Sequence, residues 1–386
     1  MNTPRLFLLT DDFLPHQGGS RVYYHELLSR LEGVDCRVLT RQQEGDAAFD
    51  ERQVYQVERM GLSAWEFLKP LRMQFLPIYV RLLWRTIRTI RRFKPTVLVA
   101  GELVPTGPVA ALCARWFRIP LVVFTHAEGP PTIGRTRFQS RLARWACGQA
   151  RWVIAASDNA QDGLVRWLGV PVEKIEVVLP GVSEEHFEER FRARPGQKMD
   201  EITLLSVSRL IERKGHRTVL EALPELIRDF PGMRYVVVGT GPLENELRAL
   251  AHDLGVASQV RFAGKVDALG LMAAYAAADC FVLPNMDNAE TGDTEGFGIV
   301  FGEAAAHGVP VVGGRAGGTT HSIRDGETGF RVDGANVKAV ADAVRRIFRN
   351  GGLYARTYGE AGRQMAEREF HWSGRAKRFK QIVFPG

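Results

Sequence analysis

Short apolar runs alternate with longer segments of helical periodicity along most of the chain, and this alternation constrains the fold more than any other feature. The runs form two series, at 6–10, 35–40, 53–57, 96–100, 121–124, 152–156 and 175–179, and at 202–208, 235–238, 259–262, 280–283, 309–312 and 329–332. Strands separated by crossover helices predict parallel sheets covered by helices. We therefore predict an α/β protein with two facing, doubly wound, Rossmann-like domains and a cleft between them.

The chain length supports two domains, because 386 residues exceed the size at which one hydrophobic core keeps growing. Residues 183–200, between the two series, are charged and lack long apolar runs. We assign residues 1–182 to an N-terminal domain, 183–200 to a linker, 201–370 to a C-terminal domain and 371–386 to a final helix.

The net charge of +7 and the pI near 9.4 indicate an anionic partner, which could be nucleic acid, membrane lipid or a phosphorylated substrate. The sequence has no run of 18 apolar residues, which argues against a spanning helix, and its N-terminus does not predict a signal peptide. The four cysteines are far apart and show no metal-ligand spacing. They predict a reducing, cytosolic compartment.

Residues 69–94 contain eight lysines or arginines and no acidic residue. Helical spacing places basic and apolar residues on opposite sides of a predicted helix. The basic side has Arg81, Arg85, Arg88 and Arg92, and the apolar side has Tyr79, Val80, Leu83, Trp84, Ile87 and Ile90. This pattern fits either a core-packed helix with a solvated basic face or a surface that rests on anionic lipid. Nucleic acid is a weaker candidate, because no recognised nucleic-acid module accompanies the charge.

A glycine-rich stretch, Glu295-Gly-Phe-Gly-Ile-Val-Phe-Gly-Glu303, places two carboxylates around a predicted turn and helix. Gly296 and Gly298 permit a tight loop, and the apolar run from Ile299 predicts the first turns of the helix. A helix N-terminus can hold a phosphate and the polar edge of a sugar, and the carboxylates can accept hydrogen bonds from hydroxyls. A strand-to-helix turn with two solvated glutamates is the alternative.

Arg209 and Lys214 follow the predicted strand 202–208 and precede a helix. Arginine provides a planar charged fork and lysine a mobile point charge, so together they could stabilise a departing diphosphate. Gly239 and Gly241 end the next predicted strand in a similar way. The alternative is a solvated surface loop.

Two loops in the N-terminal half also carry candidate ligand-binding residues. After strand 6–10 come Asp11 and Asp12 and then Gly18 and Gly19, with Ser20 as a predicted N-cap. Strand 121–124 leads to His126 and Glu128, at the end of a parallel strand where open α/β sheets bind ligands. A simple turn and a packing histidine are the respective alternatives.

These motifs resemble those of the family-four retaining glycosyltransferases, which have the two-domain GT-B fold and two glutamates separated by seven residues, with Gly-Phe-Gly after the first. The likeness is continuous from about residue 202 to 335 and looser before it, and it is nearest to mannosyltransferases of the phosphatidylinositol mannosyltransferase type. It implies that Glu295 holds hydroxyls of the donor sugar and that Glu303 holds the ribose of its nucleotide. It also implies that the last helix crosses back to the first domain.

The resemblance completes a list of candidate site residues. The catalytic candidates are Arg209, Lys214, Glu295 and His126, the last touching the donor sugar. The donor-binding candidates are Gly18, Gly19, Gly239, Gly241, Lys265, Val266, Gly296, Phe297, Gly298, Ile299 and Glu303, with the base resting against the loop around Val266. The acceptor candidates are Asp11, Asp12 and Glu128.

We therefore predict a retaining, metal-independent hexosyltransferase without a cofactor. It would move a hexose, with mannose favoured, from a GDP or UDP sugar to a lipid or glycan acceptor. The protein would be cytoplasmic and peripheral on the inner face of the cytoplasmic membrane, held through residues 69–94, and would not bind nucleic acid. A UDP-sugar transferase with a soluble acceptor, and a non-catalytic protein that binds nucleotide sugars or nucleic acid, are the alternatives.

Overall fold

The computed structural model describes residues 3–15, 19–61, 76–126, 137–287 and 297–385, which form two compact units. Unit 1 comprises the described residues up to Pro180 together with those from Trp372 onward. Unit 2 comprises the described residues from Gly181 to His371.

The described part of unit 1 contains a seven-stranded parallel sheet in the order β3-β2-β1-β4-β5-β6-β7. Its strands are β1 (Arg5–Leu9), β2 (Asp35–Arg41), β3 (Gln56–Met60), β4 (Val97–Ala100), β5 (Leu121–Thr125), β6 (Trp152–Ala155) and β7 (Ile175–Val177). Successive side chains of β1 enter different cores, Phe7 and Leu9 on one face and Leu6 and Leu8 on the other. Burial on both faces explains why these strands are almost continuously apolar.

Helices cover both faces of this sheet. Among the described residues, the helices before the C-terminal segment are α1 (Gly19–Ser29), α2 (Asp46–Asp50), α3 (Leu76–Phe93), α4 (Thr106–Phe117), α5 (Arg137–Gln149) and α6 (Asp158–Leu168), and a 3-10 helix spans Val172–Lys174. Apolar residues of α3, α4, α5 and α6 share one core cluster with the sheet. The other face is covered by α1 and by the C-terminal helix Trp372–Val383.

The orientation of α3 differs from the sequence prediction. Val80 and Trp84 were expected on the apolar side, but they are 57% and 53% exposed. The buried side is centred instead on Leu82 and includes Thr86 and Thr89, whose hydroxyls donate to Leu82 O at 2.8 Å and to Glu58 Oε2 at 2.9 Å. Because these threonines satisfy their hydrogen bonds internally, they can occupy the core side and turn Trp84 outward.

The C-terminal helix is part of the unit 1 core. Trp372 and Phe379 are 1% and 0% exposed. The ring of Trp372 meets that of Tyr23 edge to face at 5.0 Å, and Phe379 lies 5.6 Å from Phe124. Removing buried aromatic surface here therefore opens a cavity between α1 and the sheet.

The described part of unit 2 contains a six-stranded parallel sheet in the order β10-β9-β8-β11-β12-β13. Its strands are β8 (Thr203–Val207), β9 (Arg234–Val238), β10 (Val260–Gly264), β11 (Cys280–Leu283), β12 (Val311–Gly314) and β13 (Gly329–Val332). Its α-helices are α7 (His216–Asp229), α8 (Glu244–Asp253), α9 (Ala268–Ala276), α10 (Ile299–Ala306), α11 (Thr319–Ser322), α12 (Val337–Phe348) and α13 (Leu353–Glu369). The predicted α/β class with two doubly wound parallel domains is confirmed.

Several element boundaries differ from the prediction. The strand expected at 309–312 is Val311–Gly314, and the strand expected at 53–57 is Gln56–Met60. The strand extends through Gly313 and Gly314, and a Cβ on Gly314 would lie 1.7 Å from Asn285 O. The close approach of the chain after β11 therefore requires glycine inside β12.

Residues 183–200, expected to form a linker, lie in unit 2. They contain the 3-10 helices Glu184–Phe187 and Glu189–Phe191, and the side chains of His186 and Ala193 are each 5% exposed. The Ala193 amide also donates to His307 O at 2.8 Å. A few well-spaced buried residues hold this segment, so it needs no long apolar run.

We predict that Phe379→Ala lowers the free energy of unfolding by about 3–5 kcal/mol, because it removes a fully buried aromatic ring. Chemical denaturation followed by circular dichroism measures the loss. Lys377→Ala, at an exposed position of the same helix, is the control and should change stability by less than about 0.5 kcal/mol. Equal effects of the two substitutions would contradict the packing described here.

Candidate active site

Six candidate residues of unit 2 lie just after the carboxyl ends of its parallel strands, namely Arg209, Lys214, Gly239, Gly241, Lys265 and Val266. The strand order reverses between β8 and β11, and open α/β sheets bind ligands beside such a reversal. The loop after β8 carries Arg209, which is exposed, and Lys214, which is 8% exposed in the 3-10 helix Glu212–Lys214. A fixed lysine and an accessible arginine can together receive a diphosphate.

His216, the first residue of α7, holds this loop in place through two hydrogen bonds. Its Nε2 lies 2.8 Å from Ser208 Oγ, and its Nδ1 lies 3.0 Å from the hydroxyl of Tyr235. Burial, with a smaller contribution from the charge of Lys214, lowers the pKa of His216 to about 4. His216 is therefore neutral at physiological pH and holds the loop by hydrogen bonds. The sequence shows this histidine beside Lys214 but gives no sign of its partners.

Glycines allow the neighbouring loops to pack on this one. A Cβ on Gly241 would lie 2.4 Å from Leu210 O, and one on Gly239 would lie 1.9 Å from Ser208 O. Gly215 has a φ of 71°, and its Cβ would lie 2.2 Å from Pro284 O. Gly239 and Gly241, predicted to let the backbone approach a ligand, thus have a second reason to lack side chains.

The glutamate motif falls only partly within the described residues. Glu295 and Gly296 lie outside them. Gly298, with a φ of 72°, directly precedes α10, so the helix begins at Ile299 as predicted. Phe297 is 3% exposed, and its carbonyl accepts a hydrogen bond of 2.8 Å from Ser322 Oγ.

Glu303 lies one turn into α10 and is held from the side of α9. The hydroxyl of Tyr275 donates to Glu303 Oε2 at 2.7 Å. Burial raises the pKa of Glu303, and the hydrogen bond from Tyr275 partly opposes this effect. The carboxyl group is therefore fixed in direction but easily protonated.

Lys265 and Val266 follow β10 at the same edge of the sheet. Lys265 is exposed and Val266 is half-buried. The next residue, Asp267, caps α9 by accepting a hydrogen bond of 2.7 Å from the Gly270 amide. The cap fixes the backbone of this loop, against which the sequence predicts that a base rests.

Unit 1 has its own strand reversal, between β1 and β4. Glu102, which sequence reasoning missed, follows β4 and accepts hydrogen bonds from the hydroxyl of Thr10, from the Asp11 amide at 3.1 Å and from Thr106 Oγ1 at 2.8 Å. Burial and the nearby charge of Asp11 raise the pKa of Glu102 well above its usual value. A single glutamate outside any motif offered no signal in the sequence.

The other acceptor candidates of unit 1, and the donor-binding candidates Gly18 and Gly19, have mixed outcomes. Asp12 pairs with Arg21 and Arg41, the latter at 3.2 Å, and accepts a bond of 2.7 Å from Gln43 Nε2. Gly18 and Glu128 lie outside the described residues. Gly19 begins α1, so Ser20 lies within the first turn and not at the predicted N-cap. A Cβ on Gly19 would meet no atom within 4 Å.

His126 sits in an aromatic cluster after β5. Its ring stacks on Phe124 with centroids 6.0 Å apart, and the rings of Tyr23 and Tyr24 meet it edge-on at 5.0 Å. The hydroxyl of Tyr24 donates to Gly101 O, so it accepts the hydrogen bond of 2.7 Å from His126 Nε2. Burial lowers the pKa of His126 to about 3, so the ring is neutral and can only act as a hydrogen-bonding group.

Two family descriptions match nearly the whole chain. "Glycosyltransferase Family 4" matches residues 17–186, and "Glycosyl transferases group 1" matches residues 187–365. The boundary between the matches lies close to the boundary between the two structural units. Both halves thus carry a glycosyltransferase pattern.

Similar proteins come from both sequence and structure. A GDP-mannose-dependent alpha-(1-6)-phosphatidylinositol monomannoside mannosyltransferase of Mycobacterium tuberculosis is 32% identical, over 98% of this chain and 98% of its own. A D-inositol 3-phosphate glycosyltransferase of Acidothermus cellulolyticus is 30% identical, over 92% and 83%. The crystal structure of HepE of Anabaena in complex with UDP has a TM-score of 0.80 at 19% identity, over 99% and 100%.

The structural likeness alone establishes only the fold. The sequence likeness goes further, because it extends at more than 30% identity along almost the entire length of a glycosyltransferase. The chain therefore belongs to the family-four glycosyltransferases and has the GT-B fold.

Proposed function

We propose that this glycosyltransferase moves mannose from GDP-mannose to a lipid-linked acceptor, with retention of anomeric configuration and without a metal ion. The observation that carries the proposal is the 32% identity, over 98% of both chains, to an enzyme described as GDP-mannose-dependent and acting on a phosphatidylinositol monomannoside. A protein of the same description in Mycolicibacterium smegmatis is 30% identical over 98% of this chain.

The charges of unit 2 support this chemistry. Negative charge grows on the leaving diphosphate as its bond to the sugar breaks, and preorganised positive groups stabilise that charge. Arg209 and Lys214, supported by His216 and Ser208, supply positive groups at the strand reversal. In this proposal they take the role that a metal ion plays in other transferases, and the diphosphate assists removal of the acceptor proton.

A soluble acceptor is the second candidate. It is favoured by the 30% identity to a D-inositol 3-phosphate glycosyltransferase over 92% of this chain. The two candidates differ in where labelled sugar from GDP-mannose or a UDP-sugar is found after the reaction. A lipid acceptor carries the label into the organic phase with a phosphatidylinositol-type lipid, whereas a soluble acceptor keeps it in water on inositol phosphate.

The outer side of α3 supports a membrane-associated acceptor. Trp84 is 53% exposed, with the guanidinium of Arg88 over its ring at 5.4 Å. Arg81, Arg91 and Arg92 are also exposed on this helix. Arginines beside an exposed aromatic ring suit the interface of an anionic bilayer. Arg85, expected on the same basic stripe, is half-buried and donates to Arg59 O at 3.4 Å.

The other helices on the same face of the sheet as α3 also expose tryptophans. Trp116 on α4, Trp145 on α5 and Trp167 on α6 are 65%, 37% and 49% exposed. Their helices share the core face on which α3 packs. No helix among the described residues is long and apolar enough to cross a membrane. We propose that this helix layer rests on the inner face of the cytoplasmic membrane.

We predict that Arg209→Ala and Lys214→Ala each weaken nucleotide-sugar binding and slow transfer by about 10-fold or more, because each removes a charged contact to the diphosphate. Steady-state kinetics with radiolabelled GDP-mannose measures both effects. Arg228→Ala, which removes an exposed arginine of α7, is the control. Equal losses at all three positions would show that only general charge matters.

A second prediction concerns Glu295. Glu295→Gln should leave thermal unfolding unchanged and reduce transfer by about 10²-fold, the loss typical of removing an electrostatic contact to the transition state. The same radiolabel assay measures it. Turnover within about threefold of wild type would exclude the proposed role.

The membrane proposal predicts that replacing Arg81, Arg88, Arg91 and Arg92 together with Gln abolishes most sedimentation with anionic liposomes at low salt. Each charge near such a surface contributes about 1 kcal/mol, and salt screens the attraction. The matched control replaces four exposed arginines of unit 2, Arg228, Arg261, Arg349 and Arg368, with Gln. If both quadruple variants sediment as wild type does, the α3 surface is only solvated.

A further inference from the structure

A chain of buried polar groups lies behind Glu303, entirely within unit 2. It comprises Tyr275 on α9, His186 in the 3-10 helix Glu184–Phe187, and His307 directly after α10. These three side chains are 0%, 5% and 0% exposed. The ring of Tyr275 stacks on that of His307 at 5.1 Å, and the two histidine rings meet edge to face at 5.2 Å.

The far end of the chain fixes the tautomer of His307. Its Nδ1 lies 2.7 Å from Phe191 O, and a carbonyl oxygen can only accept, so Nδ1 carries the proton. Burial lowers the pKa of His307 to about 4, so the ring is neutral at physiological pH. Its Nε2 is therefore an acceptor.

The tautomer of His186 follows from that of His307. His186 Nδ1 lies 3.0 Å from His307 Nε2 and must donate to it. Burial also lowers the pKa of His186 to about 4. A neutral His186 therefore has a bare Nε2, which faces Glu303 Oε1 at 3.9 Å. If Glu303 were ionised, the lone pairs of its Oε1 would face the lone pair of His186 Nε2.

One proton between these two atoms removes the conflict. On Glu303 Oε1 it makes a neutral carboxyl, and on His186 Nε2 it makes an imidazolium, which at 3.9 Å is within ion-pair reach of a carboxylate but too far for a hydrogen bond. Burial raises the pKa of Glu303 and lowers that of His186 to about 4, so in the ligand-free protein the proton is held by Glu303 in preference to His186.

The surrounding charges act on both histidines. Glu185, beside His186, raises the pKa of that histidine, whereas for His307 the charge of Glu303 raises the pKa and the charge of Arg363 on α13 lowers it. Arg363 is held there by bonds to Ala306 O at 2.9 Å and to Phe187 O at 3.0 Å. Among the described residues, the charged and titratable groups that face His186 and His307 are Glu185, Tyr275, Glu303 and Arg363.

We infer that His186 is a positioning residue for Glu303, taking the shared proton when the vicinal hydroxyls of a nucleotide ribose bind, and so keeping Glu303 a carboxylate. A carboxylate can accept from both hydroxyls, while Tyr275 still donates to its Oε2. The proton moves from Glu303 Oε1 to His186 Nε2 and no other bond changes. The inference rests on the proposed role of Glu303 in nucleotide binding.

The test is calorimetric titration of GDP and of 2′,3′-dideoxy-GDP into wild type, His186→Asn and His252→Asn. Asparagine can still donate toward His307 but has no nitrogen facing Glu303. His186→Asn should weaken GDP about tenfold, the loss expected for one charge-assisted hydrogen bond, and leave the dideoxy analogue within about twofold. His252, whose side chain is 86% exposed, provides the same substitution as a control and should change neither affinity.

The pH dependence gives a second readout. Where the pH is high enough to remove the shared proton from the free protein, binding of GDP must take up one proton, so affinity falls by up to about tenfold per pH unit. The His186→Asn variant should lack this fall. In wild type, nitrogen NMR should show His186 changing from neutral to imidazolium when GDP is added.

Equal weakening of both nucleotides in His186→Asn, or a His186 that stays neutral in the complex, would overturn the inference. A wild type that binds neither GDP nor UDP would overturn the proposed function instead. In that case the shared proton can still be tested in the ligand-free protein. There, Glu303→Gln must shift the Nε2 resonance of His186. An unchanged resonance overturns it.

Discussion

Every strand in the described part of each sheet runs parallel to its neighbours, and the arrangement of both candidate regions depends on this constraint. Parallel strands have all their carboxyl ends at one edge, so residues distant in sequence meet there. In unit 1 this edge brings Asp11 together with Glu102, and in unit 2 it brings the loop of Arg209 beside the chain after β11. Such crowding requires glycine where one backbone passes closely over another.

Burial shapes the electrostatics of both candidate regions, one in each unit, as much as charge does. His126 and His216 are both kept neutral by removal from water, so each acts through hydrogen bonds of fixed direction. The exposed charge of Arg209, in contrast, remains available to a ligand. In unit 2, the positive charge of Arg209 thus lies in a loop that the neutral His216 holds by hydrogen bonds. Such an arrangement is suited to binding an anion whose charge increases during the reaction.

The sequence was sufficient to predict the sheets and the start of α10, because apolar runs and glycines act locally. It was not sufficient for residues whose role depends on distant partners. Thr86 and Thr89 look polar, yet their hydroxyls are satisfied inside the core, and so the outward face of α3 was misjudged. His186 lies in a charged stretch that reads as a linker, and only the fold places it behind Glu303. Glu102 likewise belongs to no motif.

The central claim is that this chain transfers mannose from GDP-mannose to a phosphatidylinositol-type lipid. The most direct measurement incubates the purified protein with radiolabelled GDP-mannose and liposomes containing that lipid, without added metal and with a chelator present. We expect label in the extracted lipid fraction, and glycosidase digestion should show that the mannose is α-linked. UDP-glucose should give little labelled lipid. Transfer only from a UDP-sugar, only to soluble inositol phosphate, or only after metal is restored would contradict it.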